Sequence, residues 1–339
     1  MDPAPRTGTV WLNGTLIAAD EARIGVTDRG FQLGDGVFET LRAHAGRPVE
    51  LSAHLDRLRE SARALAIGLA DDIDARLTGA IEELLAAEGL ASPGDVTNGA
   101  SQSGPAEGGS GGSTDGASPP SRGGDAAIRI TVSRGPLTGR GILPAGWENA
   151  APTVLVQAWR HVPPSAALLE RGIRAITSSV RHDPASPLAG VKTTSRADHV
   201  YARLEAERAG VEDAIFLTVD GFLAEASTAN VFVVTGDSLA TPARSAGILA
   251  GTTRSWVLGH AGAEGLRPVE RDLRPDDLEL ADEAFLSSSV AGIVPLVGLD
   301  RRPVGKGRPG PRTLALRAAR ERWIVEAAEL DAAGPLTGR

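Results

Sequence analysis

The sequence predicts a soluble globular protein of the α/β (α+β) class with about two domains. Its 339 residues are enough for two domains, since one domain takes roughly 100 to 200 residues. Runs with the alternation of β-strands and runs with the spacing of amphipathic helices follow one another along the chain, which is typical of proteins that mix the two. Hydrophobic residues make up 42% of the chain, which is enough to bury a sizeable core.

Charge and composition exclude several classes of function. The formal net charge is -8 and no long basic run occurs, so the chain lacks a footprint for nucleic acid. It contains no cysteine, which excludes disulfides, thiolate metal sites and cysteine nucleophiles, and no metal site is predicted. No apolar run reaches the roughly 18 residues of a membrane helix, and the first ten residues do not have the layout of a signal peptide. We therefore expect a cytoplasmic protein that acts without a membrane.

The N-terminal part begins with a predicted β-hairpin and continues into two predicted helices. Two β-rich runs between Thr9 and Ile17 are joined by Asn13-Gly14, the strongest short hairpin signal. The glycines of the segment Phe31–Phe38 indicate tight turns, so we interpret it as a loop that leads into a strand. From Leu51 to Leu85 the apolar residues recur at helical spacing, which predicts two amphipathic helices.

Residues 91–125 change the composition abruptly to glycine, serine, proline and aspartate. Such a segment cannot bury enough apolar surface to offset the entropy lost on ordering, which predicts a disordered loop. It is either a linker between domains or an insertion, and we favour an insertion in the first domain because Ala127–Val132 resumes as a strand. Pro163-Pro164 marks the predicted boundary between a small domain, residues 1–160, and a large domain, residues 165–339.

The C-terminal part centres on the segment Leu188–Val234. It contains Lys192 ahead of a helix-patterned run, and this residue is either an ordinary surface lysine or an amine with a chemical role. A predicted strand pair follows around Asp220-Gly221. Further on, Gly247–Arg254 leads into a helix through a Gly-Thr-Thr turn, which would present N–H groups and hydroxyls to an anion or simply cap the helix. A later strand ends in a second hydroxyl cluster, Ser287-Ser288-Ser289.

Two arginines lie in the glycine-rich loop after the strand Ala127–Val132. They are Arg134 in a Ser-Arg-Gly segment and Arg140 in a Gly-Arg-Gly segment. Loop arginines are commonly solvated, but a guanidinium also matches the geometry of a carboxylate. The loop is therefore a candidate for anion binding.

Taken in this order, the segments resemble the class IV, fold type IV, enzymes that depend on pyridoxal 5'-phosphate. These are the branched-chain and D-amino acid aminotransferases and aminodeoxychorismate lyase. The segments that carry the resemblance are Asn13-Gly14, FQLGDGVF at 31–38, HLDRL at 54–58, Lys192, EASTANVF at 225–232, GILAGTT at 247–253 and ADEAFL at 281–286. The resemblance implies the two-domain fold of the D-amino acid aminotransferases, with pyridoxal 5'-phosphate between the domains, and a homodimer.

The resemblance also implies roles for individual residues. Lys192 would form the Schiff base with the cofactor and then move the substrate proton, which requires a lowered amine pKa. Glu225 would keep the pyridine nitrogen protonated. The residues implied around the phosphate are Arg57, Thr252, Thr253, and Ser288 or Ser289. Those implied against the substrate, an amino compound with a carboxylate, are Phe31, Arg134 and Arg140.

The resemblance leaves two reactions open. The arginine loop and Leu188–Lys192, with Arg196 four residues further on, resemble aminodeoxychorismate lyase, which releases pyruvate and 4-aminobenzoate for folate biosynthesis. Ile142 stands where D-amino acid transaminases carry a histidine, and Ala197 stands where branched-chain enzymes carry a tyrosine. We therefore favour the lyase, with a transaminase acting on branched-chain or D-amino acids as the alternative. A cofactor-binding protein without turnover is disfavoured, because such a protein would need neither Lys192 nor the carboxylate implied at the ring nitrogen.

Overall fold

The structure is a computed structural model that describes residues 8–91 and 124–332, with side chains described as far as residue 328. The predicted disordered insert, residues 91–125, falls almost entirely on residues that lie outside this described part. The described chain forms two β-sheets, and helices pack against both of them.

The first sheet has six antiparallel strands. They are β1 (Thr9–Leu12), β2 (Thr15–Ala18), β3 (Gly36–His44), β4 (Arg47–Pro48), β5 (Ala126–Ser133) and β6 (Thr153–Arg160), in the order β2-β1-β6-β5-β3-β4. The predicted hairpin is confirmed, because β1 pairs with β2 across Asn13-Gly14 and both turn residues have positive φ, as two-residue hairpin turns require.

Three helices accompany the first sheet: α1 (Arg29–Leu33), α2 (Leu51–Ala64) and α3 (Ile73–Ala87). The two predicted amphipathic helices are confirmed as α2 and α3, whose apolar faces bury Leu58 and Leu77 in the core beneath the sheet. The loop interpretation of Phe31–Phe38 is wrong at its start, because residues as far as Leu33 are helical. Asp28 caps this short helix by accepting a hydrogen bond from the Gly30 N–H, and the helix ends at Gly34.

The insert interrupts one sheet. Strand β5, which follows the insert, pairs with β3 over eight residue pairs, from Gly36 opposite Ser133 to Ala43 opposite Ala126. The chain before and after the insert therefore belongs to the same sheet, which supports an insertion over a linker. The division into domains at about residue 160 stays a prediction, with the change of sheet after β6 as the observation in its favour.

The second sheet has nine strands. They are β7 (Ile173–His182), β8 (Asp213–Thr218), β9 (Leu223–Ala226), β10 (Asn230–Thr235), β11 (Ser238–Thr241), β12 (Arg267–Glu270), β13 (Glu283–Ser288), β14 (Gly292–Leu299) and β15 (Arg302–Pro303). The main path is β12-β11-β10-β13-β14-β7-β8-β9. Because β9 also pairs with β10, through Glu225 opposite Asn230, six of these strands close into a ring.

Five helices belong to the second half of the chain: α4 (Ala166–Arg171), α5 (Ala197–Ala209), α6 (Thr252–His260), α7 (Pro275–Glu279) and α8 (Pro311–Ala332). Helix α8 packs on β13 and β14 and also reaches the first sheet, where the buried Arg320 pairs with Glu50 at 2.5 Å. Among the described helices, none is both long enough and apolar enough to cross a membrane.

Backbone hydrogen bonds hold the lysine segment against the first sheet. The Phe38 N–H donates to the Lys192 carbonyl at 3.0 Å, and the Thr194 N–H donates to the Gly36 carbonyl at 2.8 Å. Residues 192–194 thus continue the hydrogen bonding of the start of β3, while α5 behind them packs on β7 and β8. Lys192 therefore lies where the two sheets meet.

Candidate active site

A cavity of about 830 Å³ lies between the two sheets. Its wall from the first half of the chain includes Phe38, Thr40, Arg57 and Arg129, and its wall from the second half includes the lysine segment and the closed end of the strand ring. Of the ten residues that the sequence predicts for the site, seven line this cavity: Arg57, Lys192, Glu225, Thr252, Thr253, Ser288 and Ser289.

Lys192 presents its amine to this cavity. Its Nζ lies 4.8 Å from the centroid of the Phe38 ring. Burial lowers the pKa of Lys192 to about 8, and the nearby guanidinium groups of Arg57 and Arg196 push it in the same direction. Near neutral pH the unprotonated fraction of this amine is therefore much larger than that of an ordinary lysine, and this is the form that acts as a nucleophile or a base.

Glu225 contributes a carboxylate to the cavity lining. This buried residue lies in β9 where the strand ring closes, and one carboxylate oxygen accepts a hydrogen bond from the Leu249 N–H at 3.0 Å. Asn230, its partner across the strands, donates from its amide to the Leu249 carbonyl at 2.9 Å. The loop after β11 is thereby fixed next to the carboxylate.

A buried network holds Arg57 in the cavity lining. The Arg57 guanidinium donates to both oxygens of Glu39, at 2.8 and 2.6 Å, and to the Ala250 carbonyl at 2.8 Å. His54 Nδ1 lies 2.7 Å from the same carboxylate. Burial by itself would raise the pKa of Glu39, but hydrogen bonds and charge from Arg57 and His54 outweigh it and lower the pKa to about 2.

The start of α6 forms a hydroxyl-lined cradle beside Arg57. Thr252 Oγ1 lies 3.2 Å from Ser289 Oγ, and the buried hydroxyls of Thr253 and Ser287 have no hydrogen-bond partner among the described residues. Gly251 precedes the helix, and a Cβ there would meet Asn230 Oδ1 at 2.2 Å. Free N–H groups at a helix start, unpartnered hydroxyls and a guanidinium together suit a phosphate.

Arg196 is a second cation in the cavity wall. Its guanidinium donates to His199 Nε2 at 2.7 Å, and its Cζ lies 5.5 Å from the centroid of the Phe38 ring. Burial, followed by the charge of Arg196, lowers the pKa of His199 to about 3, so the imidazole is neutral. Because a guanidinium only donates, Nε2 is the acceptor and the ring proton lies on Nδ1.

Comparisons with known proteins identify the family. The model of the Amino-transferase class IV family matches residues 36–298. The chain belongs to this family. A putative branched-chain-amino-acid aminotransferase of Methanocaldococcus jannaschii is 32% identical over 322 residues, which cover 94% of this chain and 98% of that relative.

Solved structures of known proteins share the fold. The branched-chain aminotransferase of the archaeon Thermoproteus uzoniensis, solved with norvaline, is 26% identical, with 94% of this chain and 95% of that chain covered and a TM-score of 0.75. A putative 4-amino-4-deoxychorismate lyase from Legionella pneumophila is 24% identical, with 89% and 96% of the two chains covered and a TM-score of 0.71. The predicted family and the predicted fold type IV architecture are confirmed.

Class IV aminotransferases use pyridoxal 5'-phosphate, as predicted, and the described residues fit this cofactor. The hydroxyl-lined cradle offers unused donors to a phosphate, Lys192 offers an amine to an aldehyde, and Glu225 offers a buried carboxylate to a ring nitrogen. These three chemistries line a single cavity, so one bound molecule can meet all of them.

Three residues predicted to contact the substrate do not line the cavity of this chain. Arg134 is buried elsewhere, where its guanidinium donates to Asp35 at 2.6 and 3.0 Å and to the carbonyls of Leu65 and Ala66. These bonds occupy the fork that a substrate carboxylate would need. Arg140 lies on an exposed loop, and the Phe31 side chain in α1 is 78% exposed.

Several residues of the site were not predicted from the sequence. Arg129 of β5 lines the cavity, stacks its guanidinium 4.0 Å from the centroid of the Phe38 ring, and forms no ion pair with a described carboxylate. Glu39 and His54 hold Arg57 without lining the cavity. The spacing of three between His54 and Arg57 places them on one face of a helix, which is a usable sequence signal. No local pattern links either of them to Glu39.

Proposed function

We propose that this enzyme is a transaminase that exchanges an amino group between an amino acid with an apolar side chain and a 2-oxo acid. The observation that carries the proposal is the composition of the cavity wall next to Lys192. Arg129 supplies a guanidinium without a carboxylate partner among the described residues, and Trp159, Val200 and Leu204 supply apolar surface to the same cavity. A carboxylate and an apolar side chain are what such a wall accommodates.

We propose that the residues of the cavity hold the cofactor in one orientation. Arg57, Thr252, Thr253 and the serines after β13 bind the phosphate, and Glu225 faces the ring nitrogen. Pyridoxal 5'-phosphate then supplies an electron sink for the substrate carbon that loses a proton. Lys192 would remove this proton from the substrate carbon and deliver it to the former aldehyde carbon of the cofactor. Its lowered pKa suits it to this role.

The position of Arg134 favours transamination over the lyase reaction. In the sequence, the loop with Arg134 and Arg140 is the main feature that favours the lyase, and neither residue lines the cavity. The amino substrate of the lyase has two carboxylates, whereas an amino acid with an apolar side chain has one. The relative at 32% identity is named as a putative aminotransferase, which supports the same choice.

Aminodeoxychorismate lyase activity is the second candidate, and one observation favours it. Arg196, which belongs to the segment that resembles the lyase, does line the cavity. Together with Arg129 it would provide two cations for two carboxylates. In this reaction Lys192 would remove the same proton, and the bond to the pyruvate group would then break.

Single-turnover spectroscopy of the holoenzyme distinguishes the two reactions. Separate samples receive L-leucine, D-alanine, L-glutamate and 4-amino-4-deoxychorismate. Conversion of the cofactor to its pyridoxamine form, with release of a 2-oxo acid, supports transamination and names the donor. Release of pyruvate and 4-aminobenzoate, with the original absorbance retained, overturns it in favour of the lyase. As a matched pair of variants, Arg129→Gln raises KM, whereas Arg203→Gln, a cavity residue 3.8 Å from Asp213, leaves KM nearly unchanged.

We also propose that the enzyme is a homodimer and acts in the cytoplasm. Large apolar side chains are exposed on α1, on the loop before it and on the loop after β5, including Phe31, Val26 and Ile142 at 77 to 78%. Arg29 ties these two segments together by donating to the Gly141 and Ile142 carbonyls. Contiguous exposed apolar surface of this kind marks protein interfaces. Analytical ultracentrifugation of the holoenzyme tests the dimer, and a monomer with full activity would contradict it.

A further inference from the structure

Arg196 is a largely buried cation that forms no ion pair with a described carboxylate, although the charges of Glu225 and Glu39 act on it from a longer distance. Its described contacts are the hydrogen bond to His199 and the approach to the Phe38 ring, and no ion pair joins it to a described carboxylate. Desolvation lowers the pKa of its guanidinium, as burial of a cation does. A charge in such a place is stabilised when a bound molecule brings an anion to it.

The neighbours of Arg196 define which side of the cavity it occupies. Its partner His199 lies beside Glu225. One ring nitrogen each of His182 and His199 and one carboxylate oxygen of Glu225 all lie within 4.8 Å of one another. Its other contact, Phe38, also lies against the Lys192 amine. Arg196 therefore lies between Glu225 and Lys192.

A different segment of the cavity lining contacts both Glu225 and Arg57. This segment is residues 249–252. The Leu249 N–H donates to Glu225, the next carbonyl, that of Ala250, accepts from Arg57, and the segment then enters α6. This segment borders the path from Glu225 to the hydroxyl-lined cradle. Arg196 and His199 are not part of this segment: they lie at the start of α5 and line the same cavity.

The positions of the substituents on the pyridoxal 5'-phosphate ring indicate which cofactor atom Arg196 would meet. The aldehyde carbon is attached opposite the ring nitrogen, and its two ring neighbours carry the phosphate arm on one side and an oxygen on the other. With Lys192 at the aldehyde, Glu225 at the nitrogen and the phosphate in the cradle, the ring oxygen faces the wall that holds Arg196. We propose that Arg196 is a cofactor-binding residue that pairs with this oxygen, and that His199 is the residue that positions it.

The surroundings of His199 suit a positioning role. The ring of His199 lies 5.0 Å from that of Phe216, and the ring of His182 stacks on the same phenyl ring at 4.7 Å. These contacts fix the imidazole plane. Because the ring is neutral and Nε2 carries no proton, it accepts from Arg196 without adding a positive charge that would repel the guanidinium.

The assignment predicts a spectroscopic effect. A cation beside the ring oxygen favours the form of the lysine-bound cofactor that has lost its proton, so it lowers the pH at which the visible band changes. The other charged or titratable groups whose charges act on Arg196, Lys192 or their neighbours are Glu39, Arg57, Arg129, His182, Asp198, His199 and Glu225. Removing Arg196 alone should raise the midpoint by about one pH unit or more, the shift typical of losing a charge at this range.

The test compares Arg196→Gln, Arg196→Lys and His199→Phe with the wild-type holoenzyme. We expect the midpoint of the visible band to rise with Gln, to return most of the way with Lys, and to rise partly with Phe, which keeps a ring in contact with Phe216 but removes the acceptor. An unchanged midpoint in Arg196→Gln overturns the assignment. The outcome does not depend on which reaction the enzyme catalyses, because the resting cofactor is observed without substrate.

A second measurement covers a variant that binds the cofactor too weakly for spectroscopy. Calorimetry compares the affinity of wild-type and Arg196→Gln apoprotein for pyridoxal 5'-phosphate and for its analogue that lacks the ring oxygen. The assignment predicts a loss of roughly 10- to 100-fold for the cofactor, the value of one charge-assisted hydrogen bond, and little loss for the analogue. An equal loss for both compounds would mean that Arg196 has a structural role only.

Discussion

Replacing Glu39 by glutamine tests the buried network that holds Arg57. Glu39 is fully buried, and both of its oxygens accept from cationic or imidazole donors. In Glu39→Gln the side chain keeps its shape, but an amide NH2 group replaces one carboxylate oxygen. This group cannot accept the hydrogen bond that Arg57 donates to that oxygen. Removing one member of a buried ion pair typically costs about 3 to 5 kcal/mol, because the remaining charge is left uncompensated.

The pKa of Glu39 gives an independent magnitude for the same change. A carboxyl whose pKa falls from 4.5 to about 2 on folding contributes about 3 kcal/mol at neutral pH, at about 1.4 kcal/mol for each tenfold change in proton affinity. Because the pKa is lowered in the folded state, this contribution is complete above pH 4.5 and is lost as the pH falls towards 2. The two figures agree, so we expect a loss of about 3 kcal/mol at pH 7.

Urea unfolding of the apoprotein at pH 7, 5 and 3 measures this loss. The apoprotein is the appropriate form, because a bound phosphate would act as a replacement counter-charge for Arg57. The difference between wild type and Glu39→Gln should be largest at pH 7 and smaller at pH 3. Asp74→Asn is the matched control. It removes a solvent-exposed ion pair, 2.8 Å long, to Arg59, which lies in α2 like Arg57. We expect it to change stability far less than Glu39→Gln does. A loss below about 1 kcal/mol that does not vary with pH would refute the reasoning.

Three further predictions concern the cofactor. Lys192→Ala should abolish the visible absorbance of the lysine-bound cofactor, and a variant that keeps this absorbance would remove the central assignment. Thr253→Val should weaken cofactor binding by roughly 5- to 10-fold through the loss of one neutral hydrogen bond. Thr313→Val, which removes another buried hydroxyl without a described partner, should leave cofactor binding unchanged. Equal effects of the two substitutions would contradict a role of Thr253 in the hydroxyl-lined cradle. Deleting residues 95–122 should leave cofactor absorbance unchanged, and loss of binding would mean that the insert contributes to the site.

The parts of the fold that the sequence predicts well are those decided by local pattern. Asn13-Gly14 fixes a hairpin by itself, and the helical spacing from Leu51 to Leu85 specifies two helices whichever surface they cover. The short helix α1 was missed although Asp28 and Gly34 are typical end signals, because the glycines that surround it outweigh them in a local interpretation. The closure of six strands into a ring rests on one pair, Glu225 with Asn230, that no periodicity shows.

The arginines show why the substrate side of the site is harder to predict than the cofactor side. Arg134 and Arg129 both belong to or follow β5, and by residue type either suits a carboxylate. Arg134 is occupied by Asp35, which is 99 residues away in the sequence, whereas Arg129 stacks on Phe38 and keeps its guanidinium without a described counter-charge. Which arginine is left for a ligand is decided by whether an acidic partner reaches it in the folded chain. The phosphate side needs no such information, because Gly251-Thr252-Thr253 presents its donors through the helix that it begins.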